Sequence, residues 1–422
     1  MSNRQGRVVV IGGGVIGAAS AYYLMRSGRR ATVLERGVFG GGSSSGNCGL
    51  VCPSHILPLA EPGAIATALR ALTRRNSPFM IRPRLDPRLW SWLLQFAMRC
   101  NERDMMESGR GIQPLLESSA SLYRELVESE NLACEWERRG LLFVYAERVL
   151  MDAYAATDAL LRDEFHCGAR RCDGEELLEL EPALKPGLAG GWYYEDDAHL
   201  RPDKLMRSLR GVLEAGGVEI REHCDFQGFA ASDGKATAAR TDQGEFEADD
   251  FVVATGALTP RWSGELGCRI PIQPGKGYSL TMPRPAICPS IPLIFPETRV
   301  AVTPFQSGYR LGSTMEFAGY DSTINPARLQ LLRDGASPYL RAPYCEPVES
   351  EWYGWRPMTY DGMPVIDRAP ALRNVMIAAG HNMIGLSMAP ATGKLVAELL
   401  TGVAPHLDPR PYEAARFALL PR

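Results

Sequence analysis

Short apolar runs, each adjoining a stretch with helical spacing, recur in three parts of the chain. Residues 7–12 predict a buried strand, residues 15–27 a helix and residues 31–35 a second strand. A β-α-β opening of this kind is typical of a parallel sheet covered by helices. Further strands of the same sheet are predicted over 218–224, 250–256 and 375–379. Helices are predicted beside them over 203–215 and, at the end of the pattern, over 386–400.

The segments between these elements have a different character. Residues 105–130 and 150–165 have helical patterns. Antiparallel-type alternation of apolar and polar residues occurs at 140–146, 275–282, 298–305 and 308–317. The chain shows no repeat and no low-complexity linker, so we expect one compact body. In it, an α+β domain with a mainly antiparallel sheet is interwoven with the first, α/β domain.

Composition and charge exclude several classes of protein. The 46 basic and 49 acidic residues give a net charge of −3, which does not indicate a nucleic-acid partner. The ten cysteines show no repeated short spacing, and no nearby His or Cys pair completes a metal set with Cys48 and Cys52, so we expect reduced thiols and no metal. We expect no signal peptide, because the N-terminal apolar run contains three consecutive glycines. We also expect no transmembrane helix, because no run of 18 or more apolar residues occurs elsewhere. The predicted location is the cytoplasm.

A dinucleotide-binding fingerprint lies at the end of the first predicted strand. Gly12, Gly14 and Gly17 form G-x-G-x-x-G where the strand gives way to the helix. The first glycine permits the tight turn, the second lets the backbone approach a pyrophosphate, and the third allows close packing of helix and strand. Glu35 ends the second strand, where its carboxylate can accept hydrogen bonds from the adenosine ribose. This fingerprint fits NAD and FAD equally.

Three other segments favour FAD. The loop GGGSSSGNCG at 40–49 offers small polar groups for a second pass along the pyrophosphate, and Ala254-Thr255-Gly256 ends an apolar strand where backbone is expected to pass close to the nucleotide. The strand at 375–379 leads through AGHNMIGLS into a helix, whose N-terminus can stabilise negative charge on a reduced flavin. The predicted FAD-binding domain therefore comprises 1–55, 195–266 and 355–405, the substrate domain 56–194 and 267–354, and the C-terminal tail 406–422.

The motifs resemble those of the FAD-dependent D-amino acid oxidase superfamily, most closely its bacterial D-amino acid dehydrogenase branch. SSGNCGLVCPSHILPLAEPG at 44–63 is similar to that branch's loop in the spacing of Ser44, Asn47, Gly49, Pro53, Pro58, Pro62 and Gly63. KGYSLTMP at 276–283, GWRPMTYDGMPVID at 354–367 and GHNMIGLSMAPATG at 380–393 are further matches. The chain departs from the branch at His55, where Tyr is frequent, and at Asn382 and Met383. The resemblance implies a glutathione-reductase-type, Rossmann-like FAD domain.

The resemblance also implies roles for particular residues. Arg356 matches the arginine that holds the substrate carboxylate. Tyr278 would add a hydroxyl to the same carboxylate or pack as a core tyrosine. His55 would contact the substrate, shield the site or be structural. The predicted FAD contacts are Gly12, Gly14, Val15, Ile16, Gly17, Glu35, Arg36, Ser43, Ser44, Asn47, Gly49, Leu50, Phe226, Thr255, Gly256, Gly380, His381, Met383, Ile384, Gly385, Leu386 and Ser387.

The expected reaction is oxidation of an α-amino or cyclic imino acid by hydride transfer from Cα to flavin N5. The resemblance implies a D-configured substrate and a quinone or an electron-transfer protein as acceptor. An oxidase of glycine, sarcosine, proline or hydroxyproline, a flavoprotein subunit or sensor, and an NAD-dependent dehydrogenase are the alternatives.

Residues 64–103 raise a separate hypothesis. They contain eight arginines against Asp86 and Glu102, with Phe79, Trp90, Trp92 and Phe96 interleaved. This composition suits peripheral contact with the inner, anionic face of a membrane. The alternative is a substrate-domain helix with arginines on its solvated face.

Overall fold

The computed structural model describes residues 6–72 and 77–418. In this part of the chain the helices are α1 (Val15–Arg26), α2 (Ala64–Leu72), α3 (Pro87–Arg99), α4 (Glu102–Ser129), α5 (Arg148–Ala153), α6 (Ala155–Phe165), α7 (Gly174–Leu180), α8 (Pro202–Ala215), α9 (Ser263–Leu266), α10 (Pro326–Ala336) and α11 (Gly385–Thr401). Short 3₁₀ helices cover Gly256–Trp262, Arg410–Tyr412 and Ala414–Phe417.

The strands of the same part are β1 (Arg7–Ile11), β2 (Arg30–Leu34), β3 (Leu50–Val51), β4 (Phe79–Ile81), β5 (Leu141–Tyr145), β6 (Arg170–Asp173), β7 (Gly190–Tyr194), β8 (Ala198–His199), β9 (Glu219–Arg221), β10 (Phe226–Ser232), β11 (Lys235–Thr241), β12 (Gly244–Glu247), β13 (Asp250–Val253), β14 (Gln273–Met282), β15 (Leu293–Phe295), β16 (Val300–Phe305), β17 (Gly308–Phe317), β18 (Ser350–Met358), β19 (Val365–Ala369) and β20 (Leu372–Ala379).

The first sheet has the order β19-β20-β13-β1-β2-β9, and all its pairs are parallel except β19 with β20. Alternate residues of β1 belong to two different cores. Val8 and Val10 pack in the cluster formed with α1, α4 and α11, whereas Val9 and Ile11 pack in the cluster that includes the antiparallel sheet β10-β11-β12. The sheet is therefore covered on both faces, which explains why its strands read as continuous apolar runs.

The second sheet has the order β18-β14-β17-β16-β15-β5-β7-β6, with β4 beside β17. Its pairs are antiparallel except β15 with β5 and β17 with β4. Every residue of β14 is buried, because β14 lies between β18 and β17 in the interior of the molecule. The predicted combination of an α/β domain with a mainly antiparallel α+β domain is confirmed.

The chain alternates between the two sheets, as the sequence pattern predicts. The predicted domain limit at 355 falls within β18, a strand of the second sheet, and the limit at 195 falls between β7 and β8. The domain limits stay predictions. Arg74 and Arg75 of the arginine-rich segment lie outside the described residues. Within the described ranges, no helix combines the length and apolar character needed to cross a bilayer.

Candidate functional site

The dinucleotide fingerprint adopts a turn that tolerates only glycine at two positions. Gly12 has φ +109°, and a Cβ there would lie 2.4 Å from the carbonyl oxygen of Ala254 at the end of β13. A Cβ on Gly17 would lie 1.8 Å from the carbonyl oxygen of Gly12. The fingerprint thus brings β1, β13 and the first turn of α1 into backbone contact.

The N-terminus of α1 presents backbone donors to the space in front of it. Gly14 is the N-cap and supplies no side-chain cap, while the Val15 amide donates to Ser44 Oγ at 2.9 Å. Ile16 and Gly17 belong to the same first turn, whose amides lack intrahelical acceptors. This end of α1 carries a partial positive charge and fits a pyrophosphate.

Glu35 follows β2 and faces the same turn. Its carboxylate accepts the Gly13 amide and the Gly37 amide, each at 2.8 Å. These bonds fix the carboxylate at the carboxyl end of the parallel sheet, where a ribose is expected to bind. Arg36, the next residue, lies instead with its guanidinium 5.9 Å from the Trp355 ring.

The serine-rich loop connects the fingerprint with β18. Ser43 Oγ donates to the Trp355 carbonyl at 2.7 Å, and the Asn47 side chain bonds Ser44 O and the Gly49 amide. Gly49 has φ +73°, and a Cβ there would lie 2.0 Å from the Leu200 carbonyl oxygen. Leu50 then begins β3. The loop is held by these side-chain bonds, and Ser44 is the member of this set that contacts α1.

A second helix N-terminus meets the loop from the other end of the chain. Ser387, in the first turn of α11, donates to the Leu50 carbonyl at 3.0 Å and accepts the Cys52 amide at 3.2 Å. Gly380 has φ +82°, and Ile384 is the N-cap of α11 without a side-chain cap. The structure therefore brings the predicted segments 12–17, 43–50 and 380–387 together.

His381 is a structural member of this turn. Its ring is buried, bonds Thr392 Oγ1 at 3.0 Å, and has its pKa lowered to about 3 by burial. The imidazole is therefore neutral at physiological pH. Its neighbours differ in exposure, since Met383 is exposed and Leu386 is buried with its carbonyl bonded to Tyr123.

Arg356 lies across β14 with unused donors. Its Nη1 donates to Thr314 O at 2.6 Å and approaches Met315 Sδ at 3.7 Å, while Nη2 is 3.5 Å from Ser313 O. A Cβ on Gly277 would lie 2.3 Å from the guanidinium carbon, so the glycine of the KGYS strand makes room for this side chain. Burial lowers the pKa of Arg356, although a guanidinium stays protonated in proteins.

The structure does not bring Tyr278 together with Arg356. Arg356 is paired with Gly275 and Tyr278 with Tyr353, so the two side chains lie on opposite faces of the β14–β18 pair. The Tyr278 hydroxyl donates to Glu316 Oε2 at 2.7 Å, and burial, followed by the Glu316 hydrogen bond, raises the pKa of Tyr278. This geometry corresponds to the alternative of a core tyrosine.

His55 lines a cleft between the end of β18 and the turn before α11. Met358, Thr359, Asn382 and Ile384 line the same cleft. Burial lowers the pKa of His55 to about 4, so the ring is neutral at physiological pH. His55 Nδ1 lies 3.4 Å from Ser54 Oγ, which in turn donates to Asp197 Oδ2 at 2.6 Å.

The remaining predicted contacts lie around the fingerprint. Thr255 and Gly256 follow β13, and Thr255 Oγ1 is 3.0 Å from Thr259 Oγ1. The Phe226 ring packs in an aromatic cluster with ring centroids of Phe229 and Trp262 at 4.8 and 4.6 Å. Phe226 therefore contributes to the core beneath the nucleotide turn rather than an exposed surface.

Sequence reasoning missed three residues of this region. Asp197 and Ser54 form a buried pair across 143 positions of chain, and no local motif marks such a pair. Asn382 was noted only as a departure from the resembled pattern. Its Nδ2 donates to Gly362 O and Gly380 O, each at 2.8 Å, while its Oδ1 accepts the Thr359 amide at 3.0 Å. Its φ of +51° is a conformation that Asn tolerates better than most residues.

Comparison with known proteins assigns this chain to a family. The family described as "DAO: FAD dependent oxidoreductase" matches residues 7–399. D-amino acid dehydrogenase of Paramagnetospirillum magneticum is 34% identical over 407 residues, which cover 94% of this chain and 95% of the relative. D-amino acid dehydrogenase of Methylobacterium nodulans is 32% identical over 418 residues, with 97% and 99% covered.

Solved structures share the fold at lower identity. Glycine oxidase from Geobacillus kaustophilus has a TM-score of 0.80 at 21% identity, covering 98% of this chain and 100% of its own. L-proline dehydrogenase from P. horikoshii has a TM-score of 0.71 at 20% identity, covering 98% of each chain. These likenesses extend over both sheets and both helix N-termini described above.

Proposed function

This chain belongs to the DAO family of FAD-dependent oxidoreductases, and from that premise we propose that it is a D-amino acid dehydrogenase whose substrate carboxylate is held by Arg356. Membership of the family confirms the predicted FAD dependence and oxidoreductase activity. The D-configuration is carried over from the curated relatives. The observation that supports the substrate class best is the unused donor capacity of Arg356.

The described residues fit FAD. Backbone donors at the start of α1 and the hydroxyl of Ser44 suit the pyrophosphate, and Glu35 suits the ribose hydroxyls. The turn at 380–384 and the first turn of α11 offer partial positive charge to the flavin ring. When bound, FAD supplies an acceptor for the hydride of the substrate Cα. No nucleophile or metal is required of the protein for that step.

Arg356 fixes the substrate by its carboxylate. Nε and one Nη2 hydrogen have no strong acceptor among the described residues, so two N–H groups of the fork can bind both carboxylate oxygens. The Thr314 carbonyl of β17 accepts from Nη1 and the Ser313 carbonyl lies 3.5 Å from Nη2, and these two contacts orient the fork. A carboxylate held at two points restricts the rotation of Cα, which is how positioning accelerates hydride loss.

We further propose that the electron acceptor is a quinone and that the protein contacts the membrane in which the quinone dissolves. The surface that we call the α2–α3 surface consists of Ile65, Leu69, Leu85, Trp90, Leu94 and Met98, all exposed. Trp90, Leu94 and Met98 follow one another at intervals of four residues and so share one face of α3. An exposed apolar stripe of this kind fits the interfacial region of a bilayer, where a quinone dissolves.

Part of the arginine-rich segment has another role. Arg82 pairs with Glu316 and Asp321, Arg84 pairs with Asp86, and Trp92 is buried with its indole N–H bonded to Met358 O at 3.1 Å. These residues support the α3 helix against the second sheet. The proposed membrane contact therefore depends on the apolar stripe, with the remaining arginines adding attraction to anionic lipid.

An electron-acceptor assay tests the proposed function. The purified yellow protein is mixed with a D-amino acid in air, with and without a soluble quinone analogue. We expect 2-oxo acid formation that depends on the quinone and little hydrogen peroxide. Peroxide formed in a one-to-one ratio with product would identify an oxidase instead, and no product with any amino acid would contradict the proposal.

A further inference from the structure

Three side chains connect the cleft at Arg356's end of β18 with a buried carboxylate. His55 Nδ1 lies 3.4 Å from Ser54 Oγ, and Ser54 Oγ donates to Asp197 Oδ2 at 2.6 Å. The Ser54 amide also donates to Asp197 Oδ1 at 3.2 Å. The three groups form a continuous row of hydrogen-bonding atoms.

The row begins at the cleft. His55 Nε2 has no partner among the described residues, and His55 lines the cleft together with Thr359 and Asn382. Because the Ser54 hydroxyl donates to Asp197, its oxygen is left to accept from His55. The neutral ring therefore carries its proton on Nδ1 and offers Nε2 as an acceptor toward the cleft, an assignment made from the network.

Asp197 ends the row in a buried, uncompensated position. The side chain is 1% exposed, and no Lys or Arg of the described chain pairs with it. The groups that face it are Cys52, Ser54, Cys167, Tyr194 and the neighbouring Asp196, none of them cationic. Burial is the main cause that raises the pKa of Asp197 to about 7. The carboxyl therefore exchanges its proton near physiological pH.

A second cleft offers an exit for this proton. Its lining residues include Pro53, which precedes Ser54, and Asp196 and Ala198, which flank Asp197. The Asp196 side chain is 93% exposed. The row therefore has His55 in the first cleft at one end, and at the other end Asp197, whose two chain neighbours line the second cleft.

We propose that His55, Ser54 and Asp197 form a proton relay that deprotonates the substrate ammonium group before hydride transfer, an inference that rests on the proposed function. An ammonium nitrogen has no lone pair with which to form a C=N bond, so the substrate must lose one proton first. The relay supplies a route for that proton. Arg356 cannot accept it, because its guanidinium is already a cation.

The step balances as follows. The ammonium N–H proton passes to His55 Nε2, the Nδ1 proton passes to Ser54 Oγ, and the Ser54 hydroxyl proton passes to Asp197 Oδ2. The amine is then neutral. Its nitrogen lone pair forms the C=N bond while the Cα–H pair leaves as hydride to the bound FAD, and the product is an iminium ion. Asp197 later releases its proton to solvent beside Asp196.

A metal site is the competing use of the same residues. Ligand atoms of Cys52, His55 and Asp197 all lie within 4.8 Å of one another. However, Asp197 already accepts the Ser54 hydroxyl and amide, and burial and the nearby Asp197 carboxylate raise the pKa of the Cys52 thiol, which disfavours the thiolate that a metal requires. The hydrogen-bonded row therefore favours the relay.

Ser54→Ala tests the relay because it removes only the bridging hydroxyl. The measurement is the limiting rate of anaerobic flavin bleaching at saturating D-amino acid as a function of pH. For the wild type, the rate should fall roughly tenfold per pH unit below the pKa of Asp197, since the carboxyl must be ionised to accept a proton. For Ser54→Ala, we expect a rate about 100-fold lower at neutral pH. The loss should disappear at alkaline pH, where the substrate amine is already neutral.

A matched control separates the relay from loss of structure. Ser290→Ala removes another serine hydroxyl that donates to a buried carboxylate, Glu181 Oε2 at 3.0 Å, in the substrate domain. This variant should keep the wild-type rate and pH profile. A Ser54→Ala enzyme with the wild-type profile would overturn the relay while the proposed function stands. If no amino acid bleaches the wild-type flavin, the proposed function fails and the relay fails with it.

Infrared spectroscopy provides a readout that needs no turnover. Difference spectra recorded below and above pH 7 should contain the C=O stretch of one protonated carboxylic acid in the wild type, and Asp197→Asn should lack it. Absence of a carboxyl that titrates near neutrality would overturn the relay. A tightly bound, stoichiometric metal ion that is lost in Cys52→Ser would also overturn it, in favour of the metal site.

Discussion

The backbone amide of Asn382 donates a hydrogen bond to the carbonyl oxygen of Pro357 at 3.2 Å. Pro357 follows Arg356 on β18, and Asn382 lies in the turn that precedes α11. The bond therefore ties the strand of the proposed substrate clamp to the turn proposed to face the flavin. The Asn382 side chain strengthens this tie through Thr359 and Gly362.

Asn382→Ala should weaken both stability and catalysis. The substitution removes the partly buried side-chain amide bonds and places Ala at φ +51°, so we expect a loss of about 2–3 kcal/mol in the free energy of unfolding. Asn382→Gly accepts the backbone conformation and should lose less. Denaturant unfolding of the two variants separates the loss of the side-chain bonds from the cost of placing Ala at this φ. Equal stability of wild type and Asn382→Ala would show that the Asn382 side chain does not stabilise the fold.

Arg356→Leu should raise KM steeply for carboxylate substrates. Loss of a bidentate, charge-assisted contact of about 3 kcal/mol corresponds to a decrease of roughly 100-fold in kcat/KM. Arg356→Lys retains the charge without the fork and should recover only part of this loss. Steady-state kinetics with a D-amino acid and with its amide, which lacks the carboxylate, measure the effect. An unchanged KM in Arg356→Leu would contradict the proposal that Arg356 holds the substrate carboxylate.

Glu35→Gln should weaken FAD binding. The neutral amide keeps only one acceptor oxygen for the Gly13 and Gly37 amides and for the ribose, so the Kd for FAD should rise about tenfold. Glu222→Gln is the matched control, because Glu222 accepts the Phe39 amide at 2.8 Å on the same side of the sheet without facing the fingerprint turn. Fluorescence titration of apoprotein with FAD distinguishes them. An unaltered Kd in Glu35→Gln would place the ribose elsewhere.

Leu94→Glu should reduce binding to anionic vesicles. Leu94 is 61% exposed on the α2–α3 surface, and a carboxylate there opposes insertion into the interface and repels anionic lipid. Val149→Glu, at a position 77% exposed on α5, introduces the same charge outside this surface and should leave binding intact. Flotation at low salt measures both. A wild type that does not float would remove the membrane contact from the proposal.

Asp197→Asn should stabilise the protein most above neutral pH. The pKa of Asp197 is raised from 3.8 to about 7, so folding favours the protonated carboxyl. Between pH 3.8 and about 7 the native state binds more protons at Asp197 than the unfolded state does. The contribution of Asp197 to the free energy of unfolding therefore falls as the pH rises through this range. The Tm of the variant minus that of the wild type should thus be larger at pH 8 than at pH 4. A difference independent of pH would contradict the raised pKa.

Local patterns predicted most of the fold. β1, α1, β2 and α11 lie within a residue or two of their predicted limits, because apolar periodicity and the glycine fingerprint are local signals. Those signals also predicted the three segments that meet at the nucleotide turn.

Contacts across sheets could not be predicted in this way. Tyr278 and Arg356 belong to neighbouring strands, and only the register, which the sequence does not state, shows that their side chains lie on opposite faces. Likewise, the Ser54–Asp197 bond joins two loops with no shared motif, and Trp92 packs inward although its segment reads as amphipathic.

Anaerobic flavin bleaching with paired enantiomers tests the central claim most directly. The purified holoenzyme is mixed, without oxygen, with the D- and the L-form of each of a panel of amino acids, and the visible flavin absorbance is followed. We predict stoichiometric loss of this absorbance with at least one D-amino acid and retention with its L-enantiomer. Bleaching by L-forms alone, or no bleaching by any member of the panel, would contradict the assignment as a D-amino acid dehydrogenase.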